Sequence, residues 1–175
     1  MEGRFQQLTA PWFDQVYALL EEAFPPVEHR PREGQRALLE QPAYHLWGLV
    51  SAKDQLDALL AAWELEELRF LEHLAVKNTL RSKGIGAALL QWYLAKSERP
   101  VVLEVEPPTT QLAARRIGFY QRQGFHLNTY PYMQPPLQPD TQPIPLMLMS
   151  WPAPLTSAAF EQQKEAIYRQ VYFLK

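Results

Sequence analysis

Two glycines one residue apart, with two cations just ahead of them, mark the segment Arg81-Ser82-Lys83-Gly84-Ile85-Gly86-Ala87. It follows an apolar run, Leu68 to Val76, and the polar break Lys77-Asn78-Thr79, and it leads into a helical pattern at Ile85, Leu89, Trp92 and Tyr93. The order is strand, loop, helix. Glycines at such a junction let main-chain N–H groups converge with no β-carbon in the way, and a helix start attracts anions through its dipole and free N–H groups. Arg81 and Lys83 add two positive charges at the rim, which suits a diphosphate better than a single phosphate. The Walker pattern needs Gly-Lys-Ser/Thr after four residues, and the Rossmann fingerprint needs a small residue where this chain has Leu89. Neither ATP nor NAD is indicated. Further on, Glu104 and Glu106 alternate onto one face of the next strand segment, fit either to hold a cationic substrate or merely to be solvated.

What does fit is Arg-x-x-Gly-x-Gly/Ala after an apolar strand, and in this the chain resembles the GNAT acetyltransferase superfamily. Downstream, Ala114-Arg115-Arg116-Ile117-Gly118-Phe119-Tyr120-Gln121-Arg122-Gln123-Gly124-Phe125 is similar to that family's Phe-Tyr-x-x-x-Gly-Phe segment. The resemblance runs from about Phe70 to Thr129, and before that it holds only in element order: strand, two helices, then strands. It implies a mixed, mostly antiparallel sheet flanked by helices, an α+β (α/β) fold in which a splayed strand pair binds coenzyme A. It implies acetyl-CoA as co-substrate, its pyrophosphate at Arg81, Ser82, Lys83, Gly84, Ile85, Gly86 and Ala87, with the main chain of Leu74, Ala75 and Val76 along the pantetheine arm. It implies Tyr120 as general acid toward the leaving thiolate and Glu72, two residues before Leu74, as a carboxylate that deprotonates the amine directly or through water. It places Glu22 and Glu28, with Glu21, His29 and Arg30, in or beside the loop that lines the acceptor site; Glu104 is a further candidate substrate contact from its strand face alone. Tyr120 also suits packing beside Phe119 and Phe125, and strand alternation sets Glu72 and His73 on opposite faces. Pro107-Pro108 stand where many members offer a polar side chain, often asparagine, to the coenzyme.

The elements that must position these residues follow from periodicity and punctuation. Thr9 and Pro11 start a first helix through Trp12, Val16, Leu19 and Leu20, stopped by Pro25-Pro26. A second runs from about Arg32 to Gln41, before Pro42. Tyr44 to Ser51 and Leu56 to Glu64 read as a hairpin, although Leu and Ala in the second run also suit a helix. Val101 to Val105 is a β-branched strand, Thr109 or Thr110 caps a helix ending at Gly124, and Phe125 to Thr129 returns as a strand. Residues 128–145 hold six of the sixteen prolines, which argues against a central strand and for a long extended loop at about 130–145. Ile144 to Trp151 then forms a last strand, and a helix runs from about Ser157 to Phe173.

At 175 residues with 47% hydrophobic and 21% charged residues, the chain suits a single domain, 1–175, that buries a core unaided. A formal net charge of −2 gives no basic excess for nucleic acid. With no cysteine, disulfides, thiolate metal sites and cysteine-linked acyl relays are excluded, and no metal is expected. No leader-like or spanning apolar stretch is present in the sequence, so a cytoplasmic enzyme without membrane partners is expected. The expected activity is N-acetyl transfer by direct attack in a ternary complex, onto a small-molecule primary amine or, alternatively, a peptide amine. A non-catalytic acyl-CoA-binding module is the competing class, and exposed strands with the C-terminal helix leave a homodimer open.

Overall fold

Where hydrophobic spacing changes from two to about 3.6 along this chain, the element type changes with it. The computed structural model describes residues 3–175 and contains seven strands and five α-helices in the order β1 (Gly3–Leu8), α1 (Phe13–Ala23), α2 (Arg32–Ala37), β2 (Tyr44–Ser51), β3 (Leu56–Glu64), β4 (Arg69–Val76), α3 (Ile85–Leu94), β5 (Val101–Val105), α4 (Gln111–Arg122), β6 (His126–Gln134), β7 (Ile144–Trp151) and α5 (Ser157–Gln170). The strands form one mixed sheet in the order β1-β2-β3-β4-β5-β7-β6. The β4–β5 pair is parallel, while β1–β2, β2–β3, β5–β7 and β6–β7 are antiparallel. The β4–β5 ladder has three pairs, ending at Leu71↔Leu103, and β4 continues past it to Val76.

Contacts group these elements into two compact units. The first runs through Glu64 and resumes at Glu72–Glu98. Here α1 and α3 both pack on β3, whose residues Ala58 to Trp63 are all buried. A strand covered on both faces loses the polar half of its alternation, which is why Leu56 to Glu64 is so evenly apolar and why its sequence also suits a helix. Gly48 on β2 sits against this strand so closely that a β-carbon would lie 2.8 Å from the Ala58 carbonyl oxygen. The expected cap at Thr9 does not form: its side chain makes no capping bond, and a short 3-10 turn over Ala10–Trp12 precedes α1 instead. The second helix is α2 followed by a 3-10 turn, Leu38–Glu40, before Pro42.

The second unit comprises Leu65–Leu71 and Arg99–Lys175. Thr110 caps α4 by accepting the Ala113 N–H at 3.1 Å, and Thr156 caps α5 by accepting that of Ala159 at 3.2 Å. The proline-rich stretch departs from expectation: β6 runs on through Pro131 to Gln134. It does so as the terminal strand of the sheet order, where a missing N–H costs no ladder bond, and its register shifts between Asn128 and Tyr132. Asn128 is buried and steadies that irregularity, donating to the Leu148 carbonyl at 3.1 Å and accepting from the Leu155 N–H at 2.8 Å. No helix among the described residues is long and apolar enough to cross a membrane.

Candidate active site

In the first unit, the chain leaves β4 at Val76, makes a 3-10 turn over Asn78–Leu80 and enters α3 through the glycine loop. Ser82 and Gly84 both take positive φ, 63° and 77°. Gly84 is the N-cap of α3 and has no side-chain cap, so the helix start offers the N–H groups of Gly84, Ile85, Gly86 and Ala87 outward; the first turn closes with Ala88 N–H on the Gly84 carbonyl at 3.0 Å. A β-carbon on Gly84 would meet nothing within 4 Å. Glycine is therefore needed for its left-handed backbone, and the space before it is open. Arg81, Ser82 and Lys83 are exposed, and Arg81 folds back so that Nε donates to the Val76 carbonyl at 3.3 Å. Glu22, at the end of α1, accepts the Asn78 N–H at 2.6 Å, anchoring the turn that leads into the loop. Helix start, left-handed glycine and rim cations together are the chemical features that attract an anion.

On β4 of the same unit, Glu72 is not a solvent-facing carboxylate. Its side chain is 3% exposed, and Arg30 donates from Nη1 to its Oε1 at 2.5 Å. Burial pushes its pKa up, yet Arg30, His73 and hydrogen bonding outweigh that and hold it below the ordinary 4.5. His73 does not lie across the sheet from Glu72 as alternation suggests, for its Nδ1 is 3.7 Å from Glu72 Oε2. Both side chains turn to the loop after α1: His73 Nε2 bonds the Glu28 carbonyl at 2.8 Å, its ring meets that of Phe24, and Arg30 comes from the same loop. Burial holds His73 below its ordinary 6.5 despite the carboxylate. Glu28 thus contributes its main chain here. Leu74 and Val76 are half-buried and Ala75 buried.

In the second unit, Tyr120 is buried in α4 between the rings of Phe119 and Phe125, at centroid distances of 5.1 and 5.6 Å. Burial pushes its pKa up to about 12, Arg116 opposing. Among the described residues no group hydrogen-bonds its hydroxyl, so a neutral phenol retains a donor for another acceptor. Glu104, in contrast, is engaged: Tyr132 donates to Oε1 at 2.5 Å, Gln134 to Oε2 at 2.6 Å, and Tyr172 lies 2.8 Å from both oxygens. A substrate ammonium at Glu104 would have to displace one of these donors. Among the described residues no group of three or more His, Cys, Asp or Glu is placed to hold a metal.

Sequence reasoning missed Arg30 and His73 as partners of Glu72. The Arg30 partnership spans 42 positions, and nothing local announces it; adjacent Glu72-His73 is visible, but strand alternation argued them apart.

Comparison with known proteins places these features. The family model described as "Acetyltransferase (GNAT) family" matches residues 13–125. A solved structure from Bacteroides thetaiotaomicron, assigned to the same family, is similar at TM-score 0.85 and 31% identity, over 98% of this chain and 99% of that one. A ribosomal-protein alanine N-acetyltransferase from Escherichia coli aligns at TM-score 0.66 and 19% identity, covering 89% of this chain and 96% of its own. A spermidine N-acetyltransferase from Vibrio cholerae aligns at 0.63 and 10%, covering 85% and 92%. At such identities the last two likenesses are of fold. A search of curated proteins found no match.

Proposed function

Because this chain belongs to the GNAT acetyltransferase family, we propose that it transfers an acetyl group from acetyl-CoA directly to a primary amine of a small molecule. The observation that carries this reading is the glycine loop: a left-handed Gly84 at the uncapped start of α3, flanked by exposed Arg81 and Lys83. Main-chain N–H groups of Gly84 to Ala87 bind the pyrophosphate of acetyl-CoA, Ser82 adds a hydroxyl, and Arg81 and Lys83 supply charge. The fit rests on the open space in front of Gly84. Bound there, acetyl-CoA supplies an activated acyl group. The main chain of Leu74, Ala75 and Val76, beyond the last β4–β5 pair, serves the pantetheine arm and the thioester carbonyl.

An aliphatic amine with pKa of about 10 is neutral in only about one molecule per thousand at pH 7, so a base is needed. Glu72 takes that proton, directly or through water. The amine lone pair then forms the new C–N bond as the C–S bond breaks, and the departing thiolate needs a proton. Tyr120 supplies it and regains a proton as the new amide nitrogen sheds its second N–H: its raised pKa keeps it protonated at neutral pH, and its hydroxyl has no other partner among the described residues. No covalent enzyme intermediate is required. Glu22 and Glu28 favour a cationic acceptor, with Glu104 available only through exchange of its tyrosine donors. The test is acetyl transfer by the purified protein to a panel of polyamines, amino acids, aminoglycoside-like amines and N-terminal peptides. Turnover confined to peptides would overturn the small-molecule assignment, and coenzyme binding without any turnover would favour a binding module.

A further inference from the structure

Within the first unit, one buried nitrogen is left without a role by the function proposed above. His73 is 3% exposed, and its Nδ1 has no hydrogen-bond partner. The tautomer follows from the other nitrogen. Nε2 lies 2.8 Å from the Glu28 main-chain oxygen, a carbonyl can only accept, and so Nε2 carries the hydrogen and neutral Nδ1 presents a lone pair. That lone pair faces Glu72 Oε2 at 3.7 Å, while the carboxylate's other oxygen is taken by Arg30 at 2.5 Å. Oε2 makes no hydrogen bond of good geometry, although the Trp63 indole acts on the carboxylate. Two acceptors thus face each other in a buried place, and an unsatisfied buried acceptor is destabilising. One added proton would turn this opposition into an N–H···O bond between opposite charges.

We propose that His73 is the proton-holding partner of Glu72: the proton that Glu72 takes from the amine, directly or through water, is passed to, and held on, His73 Nδ1. The inference rests on the reading of Glu72 as base and deepens it. In balance, an N–H bond of the ammonium breaks, its electron pair stays on the amine nitrogen for attack, and an Nδ1–H bond forms. The positive charge moves to an imidazolium opposite the Glu72 carboxylate, and release of that proton to water after acetyl transfer restores the starting state.

The surroundings set both limits of the device. Facing the pair are the Arg30 guanidinium and the Glu28 carbonyl from the loop after α1, with His29 beside them, the Phe24 ring, and Tyr44 from β2, which is coupled electrostatically to Glu72. Arg30 and His29 oppose a charge on His73, and Glu72 with the Glu28 carbonyl favours one. His73 is therefore neutral and ready to accept near pH 7, yet has a counter-ion in place when it does. A carboxylate tied to arginine alone is a weak base for an ammonium; a histidine behind it is a stronger one.

The test uses the full chain labelled with 15N-histidine, with the four histidines assigned by loss of a signal in His73→Gln and, should that variant not fold, in His73→Asn. Imidazole 15N shifts against pH in the wild type should show the Nε2–H tautomer, titrating below the ordinary histidine range and lower still in Glu72→Gln. In kinetics, His73→Gln should lower kcat about 10-fold or more with little change in the amine KM and shift the acidic limb of the kcat/KM profile. An Nδ1–H tautomer in the wild type, or a His73 titration indifferent to Glu72→Gln, overturns the proposal without any activity measurement. An unmoved acidic limb in an active His73→Gln enzyme overturns the inference alone. A wild type that transfers no acetyl group overturns the parent reading, and the inference with it.

Discussion

Replacing Arg30 by Met removes the arginine paired with Glu72 and leaves a carboxylate with 3% exposure inside the first unit. Methionine keeps much of the aliphatic volume, so the cost is chiefly electrostatic. Breaking a buried pair from one side costs about 3–5 kcal/mol; at about 2–4 °C per kcal/mol for a domain of this size, melting should fall by about 6–20 °C at pH 7. The pH dependence fixes the cause. In the wild type the Glu72 pKa lies below its ordinary 4.5, so its contribution is complete above that value and is lost as pH falls through the folded pKa. In Arg30→Met, burial, the largest influence on this carboxyl, loses its main opponent. The pKa should then rise, and the deficit against wild type should shrink as acidification neutralises the carboxyl. The double variant Arg30→Met/Glu72→Gln, with no charge to strand, should recover at least about 1 kcal/mol of the single loss. Urea titrations of the four proteins of this cycle at pH 5, 6, 7 and 8 measure all of it. A loss under about 1 kcal/mol at pH 7, or a deficit that does not vary with pH, would refute the buried pair.

Other outcomes follow from the same geometry. Tyr120→Phe should lower kcat about 10²-fold or more while leaving acetyl-CoA affinity within about twofold, measured by thiol release and calorimetry; equal loss of both would return Tyr120 to packing. Gly84→Ala meets no atom within 4 Å but must hold φ near 77°, so it should cost about 1–2 kcal/mol in urea titration, with coenzyme binding retained if the loop keeps its backbone. Tyr172→Phe removes one donor spanning both Glu104 oxygens and should cost about 1.5–3 kcal/mol; if Glu104 receives the amine, the same variant should lower the amine KM rather than raise it.

The best-read parts of the sequence were those whose signals are local. Val101–Val105 and Ile144–Trp151 stand where β-branched and apolar runs placed them, and Thr110, one of the two threonines the sequence offered, caps α4. The glycine loop was legible because a left-handed residue at a strand-to-helix junction is a backbone requirement written in one letter. What escaped was set by position in the sheet. Strand β1 has Phe5 and Leu8 among polar residues and gains its place by pairing with β2. Six prolines argued β6 short, but it is the terminal strand, where Pro131 is tolerated. The candidate site divides likewise: Gly84 and Tyr120 sit in recognisable local motifs, whereas Arg30 reaches Glu72 only through folding, and Glu104 is engaged by Tyr172 from 68 positions away.

The most direct test of the central claim is calorimetric titration of the full chain with acetyl-CoA beside the Gly84→Glu variant, which sets a carboxylate and its bulk at the start of α3. The expected result is saturable one-to-one binding by the wild type, lost in the variant while the variant still unfolds cooperatively. Equal binding by both proteins would take the pyrophosphate away from this loop, and no binding by the wild type would contradict the acetyltransferase reading and leave the family fold without its chemistry.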